Sequence, residues 1–175
     1  MPVASASRPE VTDAPVAPSF ESLIELYQPA VYRFLYRLCL GNGHDAEDLC
    51  QETFLRAFRA FASLPPDAHH RAWLYRIAYN LFLNGRRRPP LAELPEDLAG
   101  QQHDRDAAEL VGEIGQFVTT LPPKQRAALI LRHVEGREYC EIAGVLGCSE
   151  DAARANVFQA VKKIRARFAK EYADG

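Results

Sequence analysis

Apolar positions recur along this chain at steps of three and four residues, with no strand-like alternation anywhere, so the pattern predicts a protein built from helices. Phe20, Leu23, Ile24, Tyr27, Val31, Phe34, Leu35 and Leu38 mark one amphipathic helix ending near Leu40, which Pro29 should bend rather than stop. Gly41, Asn42 and Gly43 break the pattern. A second helix follows over about 45–61, with Leu49, Phe54, Ala57, Phe58 and Phe61 inward, and Pro65 and Pro66 close it. The third, over about 70–87, has Leu74, Ile77, Ala78 and Leu81 as its inward stripe. Pro89 and Pro90 then stop regular structure, because neither ring can donate a backbone bond. Helix resumes over about 107–119, and another opens at Pro122 and Pro123, carrying Ala127, Leu129, Ile130 and Val134 inward as far as Gly136.

The last two helices are patterned as a pair. Ile142 and Leu146 face inward, Ala143 is small where two helices must cross, and Gly147 can take the left-handed conformation that ends a helix. Ser149 is then a good N-cap, with Glu150 and Asp151 opposing the positive end of the next helix dipole. Ala153, Val157, Ala160, Ile164 and Phe168 continue the buried stripe. Residues 154–170 carry Arg154, Lys162, Lys163, Arg165, Arg167 and Lys170 and no acid. This is a helix-turn-helix with a cationic second helix, suited to a phosphate-lined groove, and the expected ligand is DNA.

Whole-chain charge adds a qualification. The formal net charge is -2, so the chain is no polycation; its charge is segregated instead. Residues 71–88 hold Arg71, Arg76, Arg86, Arg87 and Arg88 without an acid, whereas 91–113 hold Glu93, Glu96, Asp97, Asp104, Asp106, Glu109 and Glu113 against Arg105 alone. The acidic stretch, broken by Pro95 and Gly100, suits a solvated tether. The fold class expected is therefore all-α, with two small helical domains joined by a flexible acidic linker. The divisions fall at a disordered tail 1–18, a first domain 19–88, a linker and lead-in helix 89–120, and a second domain 121–170.

Several function classes lose support. No apolar run is long enough to span a membrane and the start lacks a signal-peptide core, so the expected location is cytoplasmic. Cys39, Cys50, Cys140 and Cys148 form no CxxC and read as buried free thiols. With His44, His69, His70, His103 and His133 they lack metal-ligand spacing. There is no nucleophile-base pair or phosphate loop, so no catalytic residue, metal, cofactor or small-molecule substrate is expected.

Two outer faces look used. On the third helix Trp73, Arg76, Asn80, Asn84 and Arg87 share the side opposite the stripe, offering groups that can stack on an unpaired base, hold phosphate and read base edges. The loop before it, with Pro65, Asp67, His69, His70 and Arg71, is stiff enough to shape a pocket. On the second helix Asp48, Glu52, Leu55 and Arg59 share an outer face that could dock on a basic protein surface. Dipole complementation and an ordinary Glu52 to Arg56 pair would also account for it.

The runs DAEDLCQETFLRAF (45–58), WLYRIAYN (73–80) and LPPKQR (121–126), followed by EIA (141–143) in a helix-turn-helix, resemble the extracytoplasmic-function (ECF) sigma factors of bacterial RNA polymerase. The resemblance covers about 20–88 and 121–168. It implies that the first domain is sigma region 2, whose second helix docks on the polymerase β′ clamp through Asp48, Gln51, Glu52, Leu55 and Arg59. The same domain would open the minus-ten element through Pro65, Asp67, His69, His70, Arg71, Trp73, Arg76, Asn80, Asn84 and Arg87. It implies that the second domain is region 4, binding the β flap and reading the minus-thirty-five element through Arg154, Ala155, Asn156, Phe158, Gln159, Lys162, Lys163 and Arg165. An anti-sigma factor is implied as a further partner. Where the family commonly carries a TVKSR run and a later arginine, this chain has Ala152, Ala153, Arg154, Ala155 and Asn156, then Gln159, so the usual upstream element is not to be assumed. A stand-alone helix-turn-helix regulator would use the same second domain without needing the acidic second helix or the Trp73 face. Binding to core polymerase separates the two.

Overall fold

The computed structural model describes residues 19–65, 67–85 and 105–169, the first seven of the last stretch as backbone. The expected tail 1–18, residues 86–104 (the end of the expected first domain with Arg87, and much of the expected linker), and Lys170 lie outside the described residues. Everything described is helix or connecting turn, in the order α1 (Phe20–Leu38), α2 (Gly43–Phe61), α3 (His70–Gly85), α4 (Arg105–Thr119), α5 (Pro123–Leu129), a π-turn over Ile130–Val134, α6 (Tyr139–Leu146) and α7 (Glu150–Phe168). The all-α expectation holds.

Local chemistry sets the helix ends. Ser19 Oγ accepts from the Ser22 N–H to start α1, which runs through Pro29 without interruption. Asn42 does the same for α2 through the Asp45 N–H, starting that helix two residues before the apolar pattern does. Between them the chain turns back through left-handed Leu40 (φ 62°) and Gly41 (φ 84°). Leucine there has a Cβ penalty that glycine lacks. Gly147 takes φ 61° and ψ 47° to end α6, as its sequence context predicts, and Ser149 Oγ caps α7 by accepting from the Ala152 N–H.

Helices α1, α2 and α3 pack on one another, and α5, α6 and α7 form a second group with α4 against α7. The two groups are not held apart: α6 also packs along α3, and one continuous core runs from Phe34, Leu35 and Leu74 to Leu131, Ile142 and Val157. This explains where the third helix departs from its expected stripe. Tyr75, Tyr79 and Phe82 are buried alongside Leu74, Ala78 and Leu81, while Ile77 is only half-buried, because α3 is covered by α1, α2 and α6 together.

Polar contacts bind the groups as well. Arg126, with 2% of its surface exposed, donates from Nη1 to the Leu38 carbonyl at 3.1 Å, satisfying a C-terminal oxygen of α1, and from Nη2 to the Thr119 and Leu121 carbonyls beside its own helix. Glu135 accepts from Arg37 Nη1 at 3.0 Å and from the Tyr75 hydroxyl at 3.1 Å. Burial, then the Glu135 charge, pushes the Tyr75 phenol well above its usual range. Glu135 reaches this position through the π-turn. The Glu135 N–H bonds the Ile130 carbonyl five residues back, and the extra residue turns the following side chains by about one position. Val134, expected inward, is therefore 53% exposed, and Glu135 occupies the inward direction in its place.

On α2 the buried stripe is Ala46, Cys50, Thr53, Phe54 and Ala57. Leu49 and Phe61 are half-buried, and Phe58, also expected inward, is 63% exposed at the stripe's margin, its ring edge-on to Phe20 at 5.3 Å.

Candidate nucleic-acid interface

The free strip of α3 is narrow. With the buried positions fixed, Arg71, Arg76, Asn80 and Asn84 are left exposed, one to two turns apart along the helix. Trp73, expected beside them, is half-buried and packs against the core, so only part of its ring can meet a ligand. The preceding loop brings Pro65, Asp67 and His69 to the surface. His70 is half-buried with its ring 6.2 Å from Phe61, and the Arg71 guanidinium lies 5.6 Å from the centroid of Tyr27 on α1. The loop is thus anchored to α1 and α2 at its helix end, with its tip outward.

Helix α7 leaves much more of itself uncovered. Only Ala153, Val157, Ala160 and Phe168 are buried; Arg154, Ala155, Phe158, Gln159, Lys162, Lys163 and Arg165 are exposed. Arg154 is held in place: it pairs with Glu150 one turn back, and its guanidinium lies 4.6 Å from the Tyr139 ring. Arg132, from the π-turn, lies 4.7 Å from the same ring and bonds the Arg137 carbonyl at 2.9 Å. Cation–π contacts at such exposed positions contribute roughly 0.5–1 kcal/mol each. Their larger effect is to restrict long side chains before anything binds. Sequence periodicity could not find Arg132 and Tyr139, because the stack joins three elements and periodicity reports on one.

Two of the expected residues are partly engaged elsewhere. The Asn156 amide donates to the Ala152 carbonyl at 2.8 Å, turned back on its own helix, and Lys163 Nζ donates to Gln125 on α5 at 2.9 Å. Phe158, 64% exposed, projects from the same face as an apolar surface that a thymine methyl or deoxyribose could cover.

On α2, Asp48, Gln51, Glu52, Leu55 and Arg59 all reach the surface, Glu52 the least. Asp48 lies 3.4 Å from His44, and Glu52 accepts from Arg56 Nε at 2.7 Å. Leu55 and Phe58 place exposed apolar area among these charges. Beside them an open groove of about 440 Å³ between α1 and α2 is lined by Gln28, Pro29, Tyr32, Glu47, Cys50 and Gln51. Burial pushes the Cys50 thiol up to about 11; burial and the nearby Asp45 charge push Cys39 up to about 12, Arg126 acting in the opposite direction. Both stay protonated at neutral pH and make poor nucleophiles. Cys140 departs from expectation by being exposed. Among the described residues no cluster of His, Cys, Asp and Glu could hold a metal ion, and no helix is long and apolar enough to cross a membrane.

Residues 23–89 match the family model for sigma-70 region 2, and residues 112–164 match that for sigma-70 region 4. The two regions of the sigma-70 class thus lie in order on the two helical groups just described. Among curated proteins, the chain is 36% identical to the ECF RNA polymerase sigma factor SigE of Mycolicibacterium smegmatis over 90% of this chain, though it spans only 65% of that protein's length. It is 31% identical to the RNA polymerase sigma-H factor of Pseudomonas aeruginosa over 83% of this chain and 84% of the relative. This protein belongs to the ECF RNA polymerase sigma factors. In fold it resembles the sigma factor RpoE of Bartonella quintana, solved in complex with the anti-sigma factor NepR. The TM-score is 0.67 at 22% identity, covering 84% of this chain and 94% of that one.

Proposed function

We propose that this protein is a promoter-specificity subunit: it joins core RNA polymerase in the cytoplasm, directs transcription initiation, and performs no catalysis of its own. The observation that carries this is the pairing of two sigma-70 regions, in order, with two helices whose outward faces are polar or basic. In the first domain, 19–88, the mixed acidic and apolar face of α2 (Asp48, Gln51, Glu52, Leu55 and Arg59) docks on the β′ clamp. The α3 strip and its preceding loop hold the minus-ten element as it opens, with Arg76 on phosphate and Asn80 on a base edge. In the second domain, 121–170, α7 lies in the major groove of the minus-thirty-five element, Arg154 reading bases near the helix start while Lys162 and Arg165 meet phosphates. An anti-sigma factor controls the protein; that a similarly folded sigma factor is held by NepR supports this reading.

The test is transcription in vitro with core polymerase and a genomic promoter pool. Discrete start sites that depend on the protein are expected. Reversing Asp48 and Glu52 to lysine should weaken core binding at least tenfold, since charge-assisted contacts are worth about 1.5–3 kcal/mol each, with helicity by circular dichroism unchanged. Sequence-specific DNA binding with no affinity for core polymerase would instead identify a stand-alone helix-turn-helix regulator.

A further inference from the structure

We propose that Glu150, held against Arg154, is a base-selecting residue: its carboxylate accepts from the N4 amine of a cytosine in the major groove, while Arg154 takes the guanine paired with that cytosine or next to it. The inference deepens the reading of α7 given above and rests on it. Acids in the first turn of a helix ordinarily complement its dipole, but that need is already met here, since Ser149 caps α7 and Asp151 follows in the same turn. Two observations set Glu150 apart. A recognition helix meets base edges with its N-terminal residues, so a carboxylate at this end enters a groove walled by phosphates, where a negative charge without a partner on the DNA weakens binding. Its neighbour one turn on is Arg154, the first cation of the helix, and the two side chains are paired.

The pair has capacity left over. Arg154 donates through Nη2 to Glu150 Oε1, and its guanidinium lies 4.6 Å from the Tyr139 ring. One such bond leaves a forked edge of the guanidinium and most of the acceptor sites of the carboxylate unused, and both side chains are about half exposed, at 56% and 46%. Nearby positions compete little: Ala155 has no polar group, and the Asn156 amide is turned back to the Ala152 carbonyl. An exposed pair of this kind adds little stability, so its consequence is geometric, each head group restricting the other before DNA arrives. What the pair presents is a donor fork beside an acceptor. Guanine offers the fork two acceptors, O6 and N7. Cytosine suits the carboxylate best, because its major-groove edge carries the N4 donor with no acceptor of its own. Adenine sets N7 beside its amine, and guanine and thymine would turn an oxygen toward the negative charge. Within a G·C pair the guanine O6 and the cytosine N4 are neighbours, the order in which Arg154 and Glu150 hold their groups.

The experiment offers the full chain, with and without core polymerase, promoter duplexes randomised across the upstream element at fixed salt, and sequences the bound fraction. The wild type should select cytosine at one position by about five- to tenfold. Glu150→Gln should move that preference toward adenine, which an amide can hold through N6 and N7 together, and should raise affinity for all sequences a few-fold because a like charge has gone. Glu150→Asp keeps the charge and the dipole role but withdraws the carboxylate by one methylene. It should reduce the cytosine preference to within about twofold while helicity and affinity for random sequence stay unchanged, a result that an acid of purely structural role would not give. Asp151→Asn removes the same charge from the same turn, and should raise affinity while leaving the preference intact. A wild type indifferent to cytosine overturns the inference, as does a preference that survives both Glu150 variants or is lost equally in Asp151→Asn. Cytosine selection by the chain without any binding to core polymerase would sink the promoter-subunit reading and sustain the role of Glu150; binding to core polymerase without cytosine selection would do the reverse.

Discussion

Helices α3 and α7 both leave a polar face exposed, yet they are built in opposite ways. Six residues of α3 are buried, from Leu74 to Phe82, because three helices cover it; its free strip is little more than Arg71, Arg76, Asn80 and Asn84. Helix α7, of nineteen residues, buries four, three of them alanine or valine, and exposes most of the rest. A narrow strip on a heavily packed helix has fixed geometry and little freedom to change. A wide face on a lightly packed helix can be re-lettered residue by residue at small cost to the fold. Ala155, Asn156 and Gln159, three positions where the sequence resemblance leads one to expect other residues, lie on that open side of α7, whereas Ala153, a fourth, is in the buried stripe.

The comparison breaks first at the core. Leu74→Ala should cost about 3 kcal/mol in urea unfolding, the range for a fully buried leucine. One and a half turns away on the free strip, Asn80→Ala should change stability by less than about 0.5 kcal/mol. It should nevertheless reduce permanganate-detectable opening of the promoter, and a pre-melted template should recover part of the loss, since the unstacking energy is already supplied. Equal defects on closed and pre-melted templates would remove the role given to α3.

On α7 the expected effects are smaller and divide by position. Arg154→Ala should cost about 1–3 kcal/mol of promoter binding and relax preference at one or two base pairs. Lys162→Ala should weaken all sequences alike and flatten the salt dependence by about one unit. A preferred upstream sequence left intact by Arg154→Ala at fixed salt would mean that this end of the helix does not face the bases. Tyr139→Leu sharpens the point. It removes the ring beside Arg154 and should reduce discrimination more than overall affinity, by a few-fold.

The smallest effects come from restoring arginine at positions 156 and 159. Each should raise affinity a few-fold and steepen the salt dependence by about one unit. Asn156→Arg should give less, because the native amide lies back along the helix toward Ala152 and a longer side chain must take a different path.

The sequence was legible where a helix is packed on one side. The α7 stripe at Ala153, Val157, Ala160 and Phe168 is buried as the spacing predicts, with Ile164 half-buried, and the Gly147 turn and Ser149 cap stand where expected. It was less legible where packing is many-sided or the helical repeat changes. Tyr75, Tyr79 and Phe82 lie beside the expected α3 stripe and are buried because a sequence-distant helix covers them, which no periodicity within α3 encodes. Val134 is displaced by a π-turn with no compositional mark. The candidate strips were legible for a related reason: Arg76, Asn80, Arg154 and Lys162 are long or polar residues between buried positions, and a helix puts such residues on the surface. The Tyr139 stack and the Glu135 contacts were not, since both join residues far apart along the chain.

The π-turn gives the gene an unusual lever. Helices commonly tolerate substitution at a single codon, but within Ile130–Val134 the codon count itself sets which side chain faces α1 and α3. Loss of one in-frame triplet there would return the segment to ordinary helical register, swing the acid at 135 away from Arg37 and Tyr75, and turn an apolar side chain toward them. A three-nucleotide deletion there would thus remove both Glu135 contacts to the first helical group in one mutational step.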